Sequence, residues 1–176
     1  MERGILLFYT ATALYWQNLF ESPPYKKIVI ESLRFLYVNN LLNVYAFVIM
    51  PNHIHLLIEV TKETPANKDI QHSFMSYTSH EFRKYMMQND NEKLTGYYVN
   101  DIDRVYQFWE RNPKIVEVGD SNVAGQIVNY IHLNPLQEKW SLVKEPEDYE
   151  YSSALFYSDR PDQFQFLKHF MDYFDR

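Results

Sequence analysis

The sequence predicts an α+β domain, an antiparallel sheet with helices packed on one face. Three observations carry that expectation. Segments of strand and helix periodicity follow one another in the order strand, helix, strand, strand, helix, strand, helix. Two apolar runs, Val44 to Met50 and Ile54 to Val60, are separated by little more than Pro51-Asn52, which reads as a hairpin. The chain has 176 residues, 46% hydrophobic and 23% charged, which suits one packed core rather than a disordered chain.

Residues 4–15 are apolar and aromatic with interspersed Thr and Tyr, and read as the first strand. Ser22-Pro23 opens a helix, with a capping hydroxyl followed by proline in the first turn. Val29, Leu33, Leu36 and Tyr37 then recur at helical spacing until Asn39-Asn40 ends the pattern. Val44 to Met50 is too short for a typical helix and suits a strand covered on both faces. Thr64-Pro65 opens a second helix whose apolar side is Ile70, Phe74, Tyr77, Phe82, Tyr85 and Met86. Residues 88–96 are mostly polar and read as a loop. Val105 to Trp109 and Lys114 to Val118 are two short strand candidates. Gly119-Asp120-Ser121 starts a third helix that ends near Asn134, because Pro135 disfavours α conformation in the residue before it.

Composition excludes several classes. Four Gly and no G-x-G-x-x-G or Walker A pattern argue against a Gly-rich phosphate loop, and the absence of Cys removes disulfide scaffolds and Cys-ligated metals. No apolar run approaches the roughly 20 residues needed to cross a bilayer. Gly4 to Tyr9 is short for a signal-peptide core, so a cytoplasmic location is expected. The net charge of −6 is unevenly spread. Residues 1–144 hold 14 basic against 15 acidic side chains, and residues 145–176 hold 3 against 8. A nearly neutral body leaves room for a local basic groove, whereas the remainder is acidic and rich in Phe.

Two constellations carry chemistry. In Pro51-Asn52-His53-Ile54-His55, residues two apart on a strand share a face, so His53 and His55 project together while Ile54, Leu56 and Ile58 enter the core. Paired imidazoles on a rigid strand can hold a divalent cation and leave positions open; the bland alternative is two polar residues at a strand start. In Asn129-Tyr130-Ile131-His132-Leu133-Asn134-Pro135, Tyr130 and Asn134 share a helix face, with Gln126 one turn earlier. A tyrosine hydroxyl beside a metal can attack phosphorus covalently, and an amide oxygen can join the metal's shell. The competing reading is a core tyrosine with its hydroxyl tipped outward.

Together these segments resemble the single-tyrosine HUH transposases, in particular the branch of REP-associated tyrosine transposases. "YAFVIMPNHIHLLIEV" looks like the family's metal-binding hairpin, and "FMSYTSHEF" is similar to its second-helix segment. "YIHLNP" with "PEDYEYSSALFY" resembles its nucleophile helix and the stretch beyond that helix. The resemblance implies a ferredoxin-like fold and metal-dependent cleavage of single-stranded DNA, often beside a hairpin, with rejoining through a 5′-phosphotyrosine. By matching positions it implies His53 and His55 as ligands of Mg²⁺ or Mn²⁺, Tyr130 as nucleophile, and Asn134 where the wider family carries an amide-bearing third ligand, commonly Gln. The partner would be single-stranded DNA, met by a monomer or a homodimer.

Other residues enter with smaller roles. Lys26, Lys27, Arg34, Arg83, Lys84, Arg104, Arg111 and Lys114 are candidate phosphate contacts, against the alternative of solvated helix faces. His132 points away from Tyr130 and is expected to be structural. Glu59 shares the His face and is expected to be an exposed strand residue. Tyr97, Tyr98 and Tyr106 are alternative nucleophiles without a helical amide partner. The expected division is a catalytic domain over 1–144 and an acidic, aromatic extension over 145–176 that packs on the body. The extension's acids either shield the DNA groove or face solvent. Two other functions compete with strand transfer: a non-cleaving binder of structured single-stranded nucleic acid on the same fold, and a metal-dependent hydrolase of small phosphoesters that would not need Tyr130.

Overall fold

The computed structural model describes residues 1–176 except 3, 68 and 103. A four-stranded antiparallel sheet has the order β2-β3-β1-β4. Its strands are β1 (Leu6–Thr12), β2 (Leu42–Ile49), β3 (His53–Val60) and β4 (Lys114–Glu117). The helices are α1 (Pro23–Val38), α2 (Ile70–Asn89), the one-turn α3 (Asn91–Leu94), α4 (Ser121–Leu133) and the one-turn α5 (Met171–Phe174). The α+β expectation and the β2–β3 hairpin therefore hold.

Alternation along the strands sorts the molecule into two cores. Leu7, Tyr9 and Ala11 of β1 and Ile54, Leu56, Ile58 and Val60 of β3 face α1 and α2, which bring Tyr25, Val29, Leu33, Leu36, Phe74, Phe82 and Met86. Each of those large side chains removed from water contributes roughly 1.5–3 kcal/mol. The opposite face carries Leu6, Tyr45, Ala46, Val48 and Leu57 against Ala124, Val128 and Ile131 of α4. α1 and α2 share one face, whereas α4 covers the other instead of joining them as expected, because Ala124, Val128 and Ile131 bury against the Leu6 and Leu57 face of the sheet. A bulge between Val44 and Ala46 lets Tyr45 and Ala46 both point to the α4 side.

Local details differ from the sequence reading in instructive ways. Ser22 does precede α1, but its hydroxyl makes no capping bond. The second helix starts at Ile70, not at Thr64-Pro65, because the Asp69 carboxylate caps it by accepting from His72 N–H; position 68 lies outside the described residues. Residues 88–96 contain α3 rather than only loop, since Asp90 caps Lys93 N–H. The strand candidate 105–109 makes only isolated bridges, Tyr98 with Tyr106 and Ala13 with Trp109. β4 is confined to Lys114–Glu117, an exposed four-residue edge. α4 is capped by Asp120, which accepts from Asn122 and Val123 N–H.

The segment after residue 144 covers the other edge of the sheet. Ile49 N–H donates to Tyr151 O, Ser153 N–H to Phe47 O and Lys168 N–H to Val44 O, so the edge atoms of β2 are satisfied within the chain. Phe164, Phe166 and Leu167 join the first core, while Phe170, Tyr173 and Phe174 pack against the second. The acids divide. Asp162 accepts from the N–H groups of Phe164, Phe166 and Leu167, so it organises a turn. α5 carries Asp172 and lies beside Glu59, since Arg176 bonds both the Asp172 carbonyl and the Glu59 carboxylate.

Candidate active site

Register places the first constellation. His55 is opposite Thr10 and His53 opposite Thr12 across β1–β3, all on the α4 side of the sheet. Asn52 fixes the His53 ring. Its amide nitrogen donates to Trp16 O at 3.3 Å, which turns its Oδ1 toward His53 Nδ1 at 2.7 Å. A carbonyl oxygen only accepts, so His53 carries its proton on Nδ1 and keeps a lone pair on Nε2. His55 Nδ1 is hydrogen-bonded to the Thr10 hydroxyl at 2.8 Å, and its Nε2 faces the Tyr130 hydroxyl at 3.5 Å.

α4 delivers the second constellation to the same place. The two imidazole rings are 4.7 Å apart, and the Tyr130 ring is 5.2 Å from His55. Phe8 stacks on His55 at 5.4 Å and meets Tyr130 edge-on at 6.0 Å, which restricts both rings. Tyr130 remains 45% exposed, so its hydroxyl is reachable from solvent. Asn134 is buried where α4 ends; its side chain hydrogen-bonds His53, and its amide nitrogen is 3.5 Å from the Tyr130 carbonyl. Trp140 lies 6.0 Å from His53 and carries Lys139 5.3 Å over its ring.

Burial sets the electrostatics. It pushes His53 down to about 4, although the Asn134 bond works in the opposite sense and the Lys139 charge adds to the fall. It pushes His55 down to about 3, with His53 and Lys139 contributing. Both rings are therefore neutral at pH 7, the state in which imidazole donates a lone pair. Among the described residues no group of three or more His, Cys, Asp and Glu side chains could hold a metal, so no carboxylate, thiolate or further imidazole completes the His pair. Two ring nitrogens whose partners are held by Asn52 and Thr10, with the Asn134 amide beside them, suit a divalent cation with coordination positions to spare.

The candidate phosphate contacts scatter. Lys114 pairs with Thr10 across the β1–β4 ladder, so it sits on the His face of the exposed edge. Arg104 and Arg111 line a groove of about 630 Å³ with Tyr106 and Asn112, and Arg111 is paired with Asp101. Arg83 lies 5.0 Å over the Tyr106 ring, next to that groove. Lys84 pairs with Glu81 at 3.7 Å. On α1, Lys27 is exposed, and Arg34 pairs with Glu31 and donates to the Phe164 carbonyl. Lys26 is a correction: it is buried, its ammonium 4.5 Å over the Tyr151 ring, because the segment after residue 144 closes over α1.

Glu59 is also a correction. It is 2% exposed, with its carboxylate accepting from Asn43, Tyr45 and Arg176. His132 is structural, as expected, but through a bond to Ser153 at 2.8 Å rather than through helix capping. Tyr97 is buried in the first core, and Tyr98 and Tyr106 pair with each other. Sequence reasoning missed Asn52, Thr10, Phe8, Lys139 and Trp140. Asn52 had a signal in its adjacency to His53; Thr10 and Phe8 are found only through strand register.

The family described as "Transposase IS200 like" matches residues 10–134. No curated protein sequence matches the chain significantly. Among solved structures, a REP-associated tyrosine transposase bound to a REP hairpin superposes with a TM-score of 0.61 at 16% identity, over 90% of this chain and 82% of that one. A protein from Deinococcus radiodurans R1, described as a candidate transposase, superposes with a TM-score of 0.47 at 14% identity, over 72% and 88%.

Proposed function

Because the chain belongs to the IS200-like transposase family, we propose that it cuts and rejoins single-stranded DNA through a covalent bond to Tyr130. The observation that carries this reading is the Tyr130 hydroxyl 3.5 Å from His55 Nε2 within one chain. The same distance supports action of the tyrosine in its own protomer. The hairpin in the solved relative's complex supports a substrate whose cleavage point lies next to a DNA hairpin.

The geometry supports the following roles. His53, His55 and Asn134 would hold Mg²⁺ or Mn²⁺. That ion would supply Lewis acidity at the scissile phosphate. Tyr130 gives up its phenolic proton, its oxygen bonds to phosphorus, and the bond from phosphorus to the 3′ oxygen breaks. The departing oxygen takes up a proton and leaves as a 3′-hydroxyl, and the 5′ side stays on the protein as a phosphotyrosine. Attack by a 3′-hydroxyl reverses the step without an energy source, because the phosphodiester count is unchanged. Lys114, and Arg104 and Arg111 along the groove, are the cations best placed to meet the DNA backbone. Residues 1–144 form the catalytic unit, and 145–176 act as its clamp.

The test is incubation of the full chain with a labelled hairpin bearing single-stranded flanks and Mn²⁺, read on a denaturing gel. A protein–DNA adduct is expected, and Tyr130→Phe should lose it while keeping fold and DNA binding. An undiminished adduct in Tyr130→Phe refutes the nucleophile. Binding by the wild-type chain with no adduct under any divalent ion favours a non-cleaving binder.

A further inference from the structure

We propose that Tyr15 and Trp16 form a ledge on which a base of the single strand stacks as it enters the cleavage site. This rests on the single-stranded DNA reading and adds to it a binding site for an unpaired nucleobase.

The starting point is a backbone anomaly. Tyr15 (φ 54°) and Trp16 (φ 56°) are consecutive residues in the left-handed region, which favours glycine. The chain places its two bulkiest residue types there, 67% and 63% exposed. Strain of this kind persists only where the surroundings over-determine it, and they do. Tyr15 N–H donates to the Glu110 carboxylate at 2.6 Å, Leu14 N–H to Phe108 O at 2.8 Å and Trp16 N–H to Ala13 O at 2.9 Å. Gln17 Nε2 donates to Gly96 O at 2.9 Å. The turn is thus held from three directions, while its aromatic faces are left to solvent.

Position supplies the second argument. Trp16 O accepts from Asn52, and Asn52 Oδ1 accepts from His53. The turn is therefore two hydrogen bonds from a candidate metal ligand, at the end of β1 where Thr12 pairs with His53. Its other anchor, Glu110, lines the groove that also holds Arg104 and Arg111. The ledge lies between the cleavage chemistry and a groove lined by Arg104 and Arg111 together with Asp69 and Glu110. Exposed aromatics beside basic groups are how proteins hold unpaired bases, because every base has a π face. Along a base-paired stem those faces are stacked on one another, so the occupant is a flanking, unpaired nucleotide.

The experiment uses the full chain, a synthetic DNA hairpin with iodouracil-substituted single-stranded flanks, and the blunt hairpin as control. Photocrosslinks to the flanked probe should map to Tyr15 or Trp16. Trp16→Ala and Tyr15→Ala should each weaken binding of the flanked probe about tenfold, with little change for the blunt one, and Trp16→Phe should retain most of the affinity. Alanine leaves the Trp16 carbonyl in place, so the Asn52–His53 chain survives and Mn²⁺ affinity should not move. Crosslinks that map only elsewhere, or unchanged affinity in the Tyr15→Ala/Trp16→Ala variant, overturn the ledge and leave the cleavage reading standing. A wild-type chain that binds neither probe overturns both.

Discussion

Two buried polar clusters share one face of β3, four residues apart, and they are finished in opposite ways. At the Glu59 end every valence is answered. Burial alone would raise the carboxyl, but bonds from Arg176, Asn43 and Tyr45 outweigh it and hold Glu59 below its ordinary range. At the His end each imidazole has one nitrogen held, by Asn52 or Thr10, while His55 Nε2 faces the Tyr130 hydroxyl and Asn134 lies against His53. Burial there is uncompensated by any opposite charge and lowers both rings. The closed cluster ties the C-terminal segment to the sheet, and the open one leaves lone pairs and a hydroxyl without a countercharge, the setting in which the proposed chemistry would run.

The comparison breaks most visibly at the open end. Replacing His53 and His55 together by Ala should abolish adduct formation and Mn²⁺ binding, with the folded circular dichroism spectrum retained, because the first core is untouched. Calorimetry showing native Mn²⁺ affinity in that variant would remove the metal assignment. Asn52→Ala should be milder. Loss of the partner that sets the His53 tautomer should weaken Mn²⁺ binding about 10- to 100-fold, with cleavage recovered at high Mn²⁺ concentration; no change would mean that the ring is oriented by packing alone.

At the closed end the effect should fall on stability instead. Arg176→Ala leaves the buried Glu59 carboxylate without its cation. A fully buried pair broken on one side loses about 3–5 kcal/mol, and because Arg176 is partly exposed about 2 kcal/mol is expected here. Denaturant unfolding reads it, and cleavage per folded molecule should stay the same. Cleavage lost in step with stability at low temperature would erase the distinction between the two ends.

Acid sharpens the contrast. His53, His55 and His132 are near 4, 3 and 4 in the folded chain, each mainly through burial, and 6.5 when unfolded. Below pH 6.5 the unfolded chain takes up protons that the folded chain refuses. Stability is therefore full above pH 6.5 and declines as pH falls toward 4. Melting temperatures measured in chelator across that window should fall steadily, while Mn²⁺ binding persists to about pH 5 rather than failing at 6.5. A melting temperature flat from pH 7 to 4 would mean that the imidazoles are hydrated.

Whatever depends on local spacing could be read directly. Strand alternation put His53 and His55 on one face, helical spacing put Tyr130 and Asn134 on another, and Pro135 marked the end of α4. Whatever depends on a distant partner could not. Asp69 rather than Thr64 begins α2, because a cap is chosen by which carboxylate reaches the free N–H groups. Val105 to Trp109 has strand composition but makes only isolated bridges.

The alternating pattern of the sheet, the candidate site residues and the excess of acid and Phe after residue 144 are legible in the residues alone. Which of the polar residues on β3 would be open was set by contacts made in space. Glu59 and His55 look equivalent in sequence, two polar positions on one face of one strand. Glu59 is closed because the chain returns from more than a hundred residues away with Arg176, and His55 is open because α4 brings it a hydroxyl 3.5 Å away instead of a countercharge. The physical reason is that a buried charge or lone pair is judged by what surrounds it in space, and contacts of such sequence separation leave no trace in local periodicity.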